Sequence, residues 1–337
     1  MKILLTGATG FVGGEVLRQA AAAGHQVRVL ARNPARAEGL VKQHGVEVFH
    51  GNILAAPSLA GCMEGIDVVA HLVGIITEVN EMTFDRVHRE GTVNLLAEAK
   101  KAKIKRWIQM SALGVRSNAR SRYHQSKWAA EEAVRAAPLD WTIVRPSIIY
   151  GRRDGFVNLF ARMMRFPWNL LQVFTVPAIG GGYAHLQPVP VEDVAGVIVR
   201  SLNKPESFKK TYDLCGPQPL RFREVLSEIA AVLGHQASIV GFPKLGRKWF
   251  GDGANILLPF SVLFSMFRSK PLVVSVPWDF ARALAWCMET FTERPLLNRD
   301  QLLMLEEDNV GDPTEAIKDF GITPPSFREG IARYLSV

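Results

Sequence analysis

Met1-Lys-Ile-Leu-Leu-Thr-Gly-Ala-Thr-Gly-Phe-Val-Gly13 opens the chain, and its short apolar run, Ile3 to Leu5, stops at glycines spaced three apart, Gly7, Gly10 and Gly13. An amphipathic pattern follows at once, with Val12, Val16, Leu17 and Ala20 on one helical face. The order is strand, tight glycine turn, helix. Such a turn lets backbone N–H groups approach a pyrophosphate, and the helix N-terminus then directs its partial positive charge at that anion. The stretch predicts a dinucleotide site. The competing reading is a strand-to-helix turn that merely tolerates glycine.

Working outward, strand and helix patterns alternate through the first 150 residues. Strands are predicted at 2–6, 26–31, 46–50, 67–72, 105–110 and 140–145, and helices near 11–23, 34–44, 82–102 and 122–137. Val68-Val-Ala-His-Leu72 is almost continuously apolar, as a strand covered on both faces must be. Alternation of this kind predicts an α/β fold with a doubly wound, Rossmann-type parallel sheet. After Gly151 the pattern changes, then returns at 187–203 and 211–214, which adds a seventh strand. We therefore expect a nucleotide-binding domain from 1–151 plus about 187–215. A smaller, mostly helical C-terminal lobe for substrate or partner comes from about 152–186 and 216–337. The cleft between them, at the C-terminal ends of the strands, is where a ligand belongs.

Composition narrows the class. With 48% hydrophobic and 21% charged residues the chain is an ordinary globular protein. Met1-Lys2 leads directly into a core strand and leaves no room for a secretory signal. Cys62, Cys215 and Cys287 have no metal-ligand spacing and read as reduced core residues of a cytoplasmic protein. The net charge of +8 suits an anionic ligand or surface. The densest cluster, Lys100 to Arg106, lacks the interleaved aromatics of a single-strand binder. It reads as cations at a helix C-terminus, which argues against a nucleic-acid partner.

Two further groups carry chemistry. Where an NAD site places an acid after the second strand, this chain has Arg32 and Arg36, suited to the 2′-phosphate of NADP rather than to NAD. The alternative is that both arginines face solvent. Ser111 ends the fifth strand, and Tyr123 and Lys127 lie four apart on one helix face. An ammonium beside a phenol lowers its pKa, so Tyr123 reads as acid/base, Lys127 as its activator, and Ser111 as the hydroxyl that holds the reacting oxygen.

The glycine stretch, Ser111, Tyr123-x-x-x-Lys127 and Arg145-Pro-Ser-Ile-Ile-Tyr-Gly151 resemble the short-chain dehydrogenase/reductase superfamily, in its extended and atypical branches. More narrowly, Asp154-Gly-Phe-Val-Asn-Leu-Phe160, Gln187-Pro-Val-Pro-Val-Glu-Asp-Val-Ala195 and Asn298 to Asp308 are similar to bacterial relatives of the NAD(P)H-binding accessory subunit of respiratory complex I. The resemblance implies a dinucleotide along Thr6, Gly7, Thr9, Gly10, Phe11, Val12 and Gly13. It places the adenine near Asn52 and Ile53, with Asn52 standing where the superfamily usually has Asp. Leu72, Val73 and Gly74 would border the cofactor, and Pro146 and Ser147 would line the nicotinamide beside Tyr123 and Lys127. His88 falls near a fourth catalytic position, as a proton relay or a packed polar residue. The complex-I branch also implies a structural or sensing role without turnover.

Residues 254–267 are apolar nearly all round, flanked by Arg247, Lys248, Arg268 and Lys270. As a helix they would reach about 21 Å, short of the ~30 Å hydrocarbon core. They read as a buried helix closing an apolar substrate pocket, or as a surface for a membrane or a respiratory-complex partner, with Pro259 kinking the run. A quinone- or isoprenoid-like substrate fits either version. Asn298 and Gln301 form a capping-box-like helix start, and the acidic end Glu306 to Asp308 calls for cations from elsewhere.

Overall fold

In a computed structural model, residues 1–37, 39, 44–165, 175–235, 238–240, 272–292, 295 and 297–336 are described. The run 254–267 lies outside the described residues, as do 38 and 40–43 of the helix expected at 34–44, where a 3-10 turn spans Pro34–Arg36.

Seven strands form one sheet: β1 (Lys2–Thr6), β2 (Gln26–Ala31), β3 (Glu47–His50), β4 (Val68–His71), β5 (Arg106–Met110), β6 (Asp140–Pro146) and β7 (Lys210–Leu214). Their order is β3-β2-β1-β4-β5-β6-β7, and every neighbouring pair is parallel. The order reverses between β1 and β4, so the crevice above their C-terminal ends is the switch point where such sheets bind ligands.

Helix α1 (Phe11–Ala22) buries Val12, Val16, Leu17 and Ala20, the predicted stripe. It ends at Gly24, whose φ of +77° only glycine adopts readily, and His25 N–H closes the turn on Ala20 C=O at 3.0 Å. The predicted helix 82–102 is a π-helical turn, Asp85–Glu90, running into α2 (Gly91–Lys101). α3 (Arg122–Ala136) carries the Tyr-Lys pair. α4 (Val157–Arg165) follows, and α5 (Val191–Ser201) packs on α1.

The C-terminal part holds α6 (Phe222–Val232), α7 (Trp278–Phe291), α8 (Arg299–Leu305), α9 (Thr314–Phe320) and α10 (Phe327–Leu335). α4, α6 and α10 enclose a second core around Met164, Phe222, Val225, Ile229, Phe327 and Ile331. That lobe also contains a three-stranded parallel sheet, Ser238–Val240, Leu272–Val276 and Thr175–Ile179, which the sequence does not announce. Residues 314–322, grouped with the smaller lobe on sequence, instead add Ala316, Phe320 and Ile322 to the core on the large sheet. Two further expectations need correction. Cys287 is exposed, whereas Cys62 and Cys215 are buried, and all three are free thiols. Arg106, the last member of the basic cluster, is buried, donating to Ser201 C=O, Asp140 C=O and the Thr142 hydroxyl.

Candidate active site

A cavity of about 620 Å³ lies across the C-terminal ends of β1, β4 and β5. Its floor is the glycine turn, with Gly7, Thr9, Gly10, Phe11, Val12 and Gly13 in its wall. The turn is closed by Gly10 N–H donating to Gly7 C=O at 2.9 Å. A Cβ on Gly13 would stand 2.1 Å from Gly7 O, and one on Gly10 would stand 3.1 Å from the same atom. Gly7 itself has φ +79°. No side chain caps the start of α1, so its first N–H groups are left to face an anion.

Thr6 stands outside this wall. It is fully buried, and its Oγ1 is 2.7 Å from His71 Nδ1 while accepting from Leu72 N–H at 3.2 Å. His71 Nε2 lies 3.2 Å from Thr92 Oγ1, which donates to His88 C=O at 2.5 Å. The directions follow from one another. Thr92 has spent its proton, so His71 must donate from Nε2 and accept at Nδ1 from Thr6. Burial holds His71 neutral, its pKa pushed down to about 3, with Lys127 adding to the push. Thr6 and His71 thus stitch β1 to β4 and α2 below the cavity. Sequence reasoning assigned Thr6 to the cofactor because a clasp 65 residues long leaves no local signal.

Around the rest of the cavity the expected residues mostly converge. Arg32 and Arg36 are exposed at one end, and Arg32 Nη1 lies 3.0 Å from Met82 Sδ. Among the described residues neither arginine has a carboxylate partner within an ion pair. Asn52 and Ile53 are in the wall, with Asn52 Oδ1 accepting from Leu54 N–H at 3.1 Å. Leu72, Val73 and Gly74 follow from the end of β4. Pro146 and Ser147 do not reach this cavity. Ser147 Oγ donates instead to Asn309 Oδ1 at 2.5 Å, and Pro146 C=O accepts from Leu113 N–H at 2.9 Å. Ile75, Ile76, Met82 and Met110 line the cavity without having been foreseen, since scattered apolar loop residues carry no periodic signal.

Ser111, Tyr123 and Lys127 meet in this cavity. The Ser111 hydroxyl is buried and has no hydrogen-bond partner. Lys127 Nζ donates to Met110 C=O at 3.3 Å, and burial lowers its pKa to about 8 against the raising effect of Glu131. A Cβ on Gly74 would be 2.9 Å from that Nζ, so glycine makes room for the ammonium.

One expectation reverses. Burial pushes the Tyr123 phenol up to about 12, and the Asp300 carboxylate pushes it the same way. Desolvation of the phenolate is the larger of the two causes, and the lowering expected from Lys127 is not what results. His88 is the packed alternative, not a free relay. It accepts Ile75 N–H at Nε2 (3.0 Å) and bonds Ser126 Oγ through Nδ1 (2.8 Å), and Ser126 donates to Tyr123 C=O at 2.8 Å. Burial, then Lys127, hold His88 neutral, its pKa down to about 2. It stacks on Phe84 and meets the Tyr123 ring edge-on at 5.3 Å between centroids.

At the acidic end of α8, Glu306 and Glu307 find cations and Asp308 meets a histidine ring. Glu307 takes both oxygens to Arg116 at 2.8 Å, Glu306 pairs with Arg120 and Arg282, and Asp308 meets His185. Asp300, unassigned on sequence, accepts Arg122 N–H at 2.7 Å and Tyr123 N–H at 3.1 Å.

Comparison with known proteins agrees with this geometry. A family model described as NAD(P)H-binding matches residues 7–161. The chain is 29% identical over 335 residues to NADH dehydrogenase (ubiquinone) 1 alpha subcomplex subunit 9, mitochondrial, of Arabidopsis thaliana, covering 94% of this chain and 73% of the relative. It is 30% identical over 245 residues to ceramide reductase of Caulobacter vibrioides, covering 72% and 74%. Among solved structures, UDP-glucose 4-epimerase of Thermus thermophilus in complex with NAD superposes with a TM-score of 0.67 at 19% identity, covering 99% of both chains, a likeness of fold. With the glycine turn, the seven-stranded parallel sheet and the Ser-Tyr-Lys group, the chain belongs to the NAD(P)H-binding, atypical short-chain dehydrogenase/reductase family.

Proposed function

We propose that the chain is an NADP(H)-dependent oxidoreductase that moves hydride between nicotinamide and the carbonyl or alcohol carbon of an apolar substrate, with Tyr123 as the acid/base. The observation that carries this reading is the Ser111 hydroxyl, buried and unpartnered in the same cavity as Tyr123 and Lys127. A buried hydroxyl left unpaired costs about 1–3 kcal/mol, which a substrate oxygen placed there recovers. The nicotinamide supplies or takes the hydride when bound; the proton and the geometry fall to the protein. Ser111 holds the substrate oxygen. A phenol near 12 is protonated at neutral pH, so Tyr123 acts most readily as donor to an oxygen gaining charge, the direction of carbonyl reduction. Lys127, mostly charged at pH 7, steadies the phenolate left behind and offers its remaining protons to the ribose hydroxyls. Ile75, Ile76 and Met82 in the wall favour a substrate with an apolar body, quinone- or isoprenoid-like, and the Caulobacter relative is named a ceramide reductase.

The test pairs NADPH with long-chain ketones and quinones. Tyr123→Phe should lower turnover about 100-fold or more while NADPH affinity stays within about twofold. Full activity in that variant overturns the role of Tyr123. For the cofactor, Arg32→Ala should cost about tenfold or more in NADPH affinity with little change for NADH, since a hydrogen bond to a charged group is worth about 1.5–3 kcal/mol. Unchanged preference would put 2′-phosphate recognition elsewhere.

A second reading, a non-catalytic NADPH-bound subunit or assembly factor at a respiratory membrane, draws on one surface feature. α7 exposes Phe280, Trp286 and Phe291, at 58%, 57% and 78%, which suits a covered or peripheral face. The Arabidopsis relative is named as a subunit of such a complex. No helix among the described residues is long and apolar enough to cross a membrane, and this reading takes the association as peripheral. Tight NADPH binding with no turnover of any carbonyl in the same assays would favour this reading over the first.

A further inference from the structure

The first turn of α3, which carries Tyr123, is finished by a residue from the far end of the chain. Ser121 caps the helix conventionally, its Oγ accepting His124 N–H at 3.1 Å. The two N–H groups before it, on Arg122 and Tyr123, have no acceptor within their own helix. Both are taken by one carboxylate: Asp300 Oδ1 accepts from Arg122 at 2.7 Å and Asp300 Oδ2 from Tyr123 at 3.1 Å, across 178 and 177 residues. Asp300 sits in the first turn of α8, where the capping box of Asn298 and Gln301 already serves its own helix, with bonds of 2.8 and 3.1 Å. Its side chain is therefore free to cap another.

We propose that Asp300 is a positioning residue for Tyr123, coupling the seating of the 298–309 segment to the placement and charge state of the phenol. This rests on the acid/base reading of Tyr123. Beyond the cap the segment is fastened by Glu307 on Arg116 and by Asn309 on Ser147. Asp300 also lines a separate cavity of about 810 Å³ between this segment and Phe84, so a ligand lodged there touches the same carboxylate. The groups facing Tyr123 are Phe84 just before the π-helical turn, His88 within it, His124 and Lys127 on its own helix, and Asp300. The two imidazoles are held neutral by burial. Asp300 is thus the nearby negative charge acting on the phenol, with Glu78 behind it, and it adds to burial, the larger cause, in keeping the proton on Tyr123.

The test reads the phenol directly and needs no substrate. The five tyrosines are replaced uniformly by difluorotyrosine, which brings their titrations toward neutral pH, and fluorine NMR follows them in the full chain. Tyr123→Phe identifies the Tyr123 resonance. In Asp300→Asn, which keeps one acceptor oxygen and loses the charge, the Tyr123 midpoint should fall by roughly half a pH unit. An unchanged midpoint overturns the proposal. Should that variant fail to fold, the unmutated chain answers the question. Burial raises the Asp300 pKa, so the Tyr123 resonance should show a second inflection above the ordinary carboxylate range as Asp300 loses its charge. A flat acid limb overturns the proposal equally. Failure of the acid/base reading would appear separately, as no turnover with the coupling intact.

Discussion

Gly13 and Gly10 share a target, the Gly7 carbonyl, at different distances. A methyl on Gly13 would stand 2.1 Å from that oxygen and 2.8 Å from Ala8 Cα, both backbone atoms that cannot swing aside. On Gly10 it would stand at 3.1 Å, a tight contact that a few tenths of an ångström relieve. Gly13→Ala should therefore open the turn, cost about 1–3 kcal/mol of stability by overpacking, and weaken NADPH binding at least about tenfold. Gly10→Ala should do markedly less. Fluorescence titration with NADPH checks both, and equal affinities across the three proteins would mean the glycine turn is not where the pyrophosphate rests. Gly74 faces Lys127 in a different way: its close neighbour is the far end of a flexible side chain, so a methyl there shifts an ammonium rather than the backbone.

At the scale of elements, what could be read from sequence is what is decided locally. β1, the turn and α1 follow from an apolar run, glycines and a 3.6-residue stripe, all within 22 residues, and their limits agree closely. All seven strands of the large sheet read correctly; central β1 and β4 are buried and almost wholly apolar, whereas edge strand β3 is only partly covered and is legible from its place in the alternation. The helix expected over 82–102 is right in place and wrong in kind. Its first turn is π-helical, and that turn aims buried His88 at Ser126 of the next helix. Nothing in Asp85-Arg-Val-His-Arg-Glu90 marks a π turn, since its stability comes from partners outside it. The small sheet escaped for a related reason: it joins three strands from 175–179, 238–240 and 272–276, and parallel pairing over such separations leaves no hairpin signature.

Over the whole molecule, the cofactor cleft was legible and its closure was not. Gly7 to Gly13, Ser111, Tyr123 and Lys127 meet as expected, whereas Thr6, Pro146 and Ser147 serve the scaffold. Asp300 and Asn309 act across more than 160 residues, which no local pattern reports. Three buried imidazoles then link the fold to pH. His71 joins β1, β4 and α2; His88 joins the π turn to α3; His124 is buried against Gly114 in the loop between β5 and α3. Burial is the leading cause in each, and their pKa values fall to about 3, 2 and 4. Unfolded, each titrates near 6.5. As pH falls the unfolded chain takes up protons first, so the stability these groups contribute is complete above about pH 6.5. It drains as pH falls toward their folded values. At pH 5 each should have lost about 2 kcal/mol, the three together about 6 kcal/mol, a large share of an ordinary folding free energy. Urea unfolding at pH 8, 6.5 and 5 measures this directly, with the midpoint expected to change little between the first two and to drop steeply by the third. Equal stability at pH 8 and pH 5 would mean that these rings are not held neutral, and the directed chain from Thr6 through His71 to Thr92 would have to be redrawn.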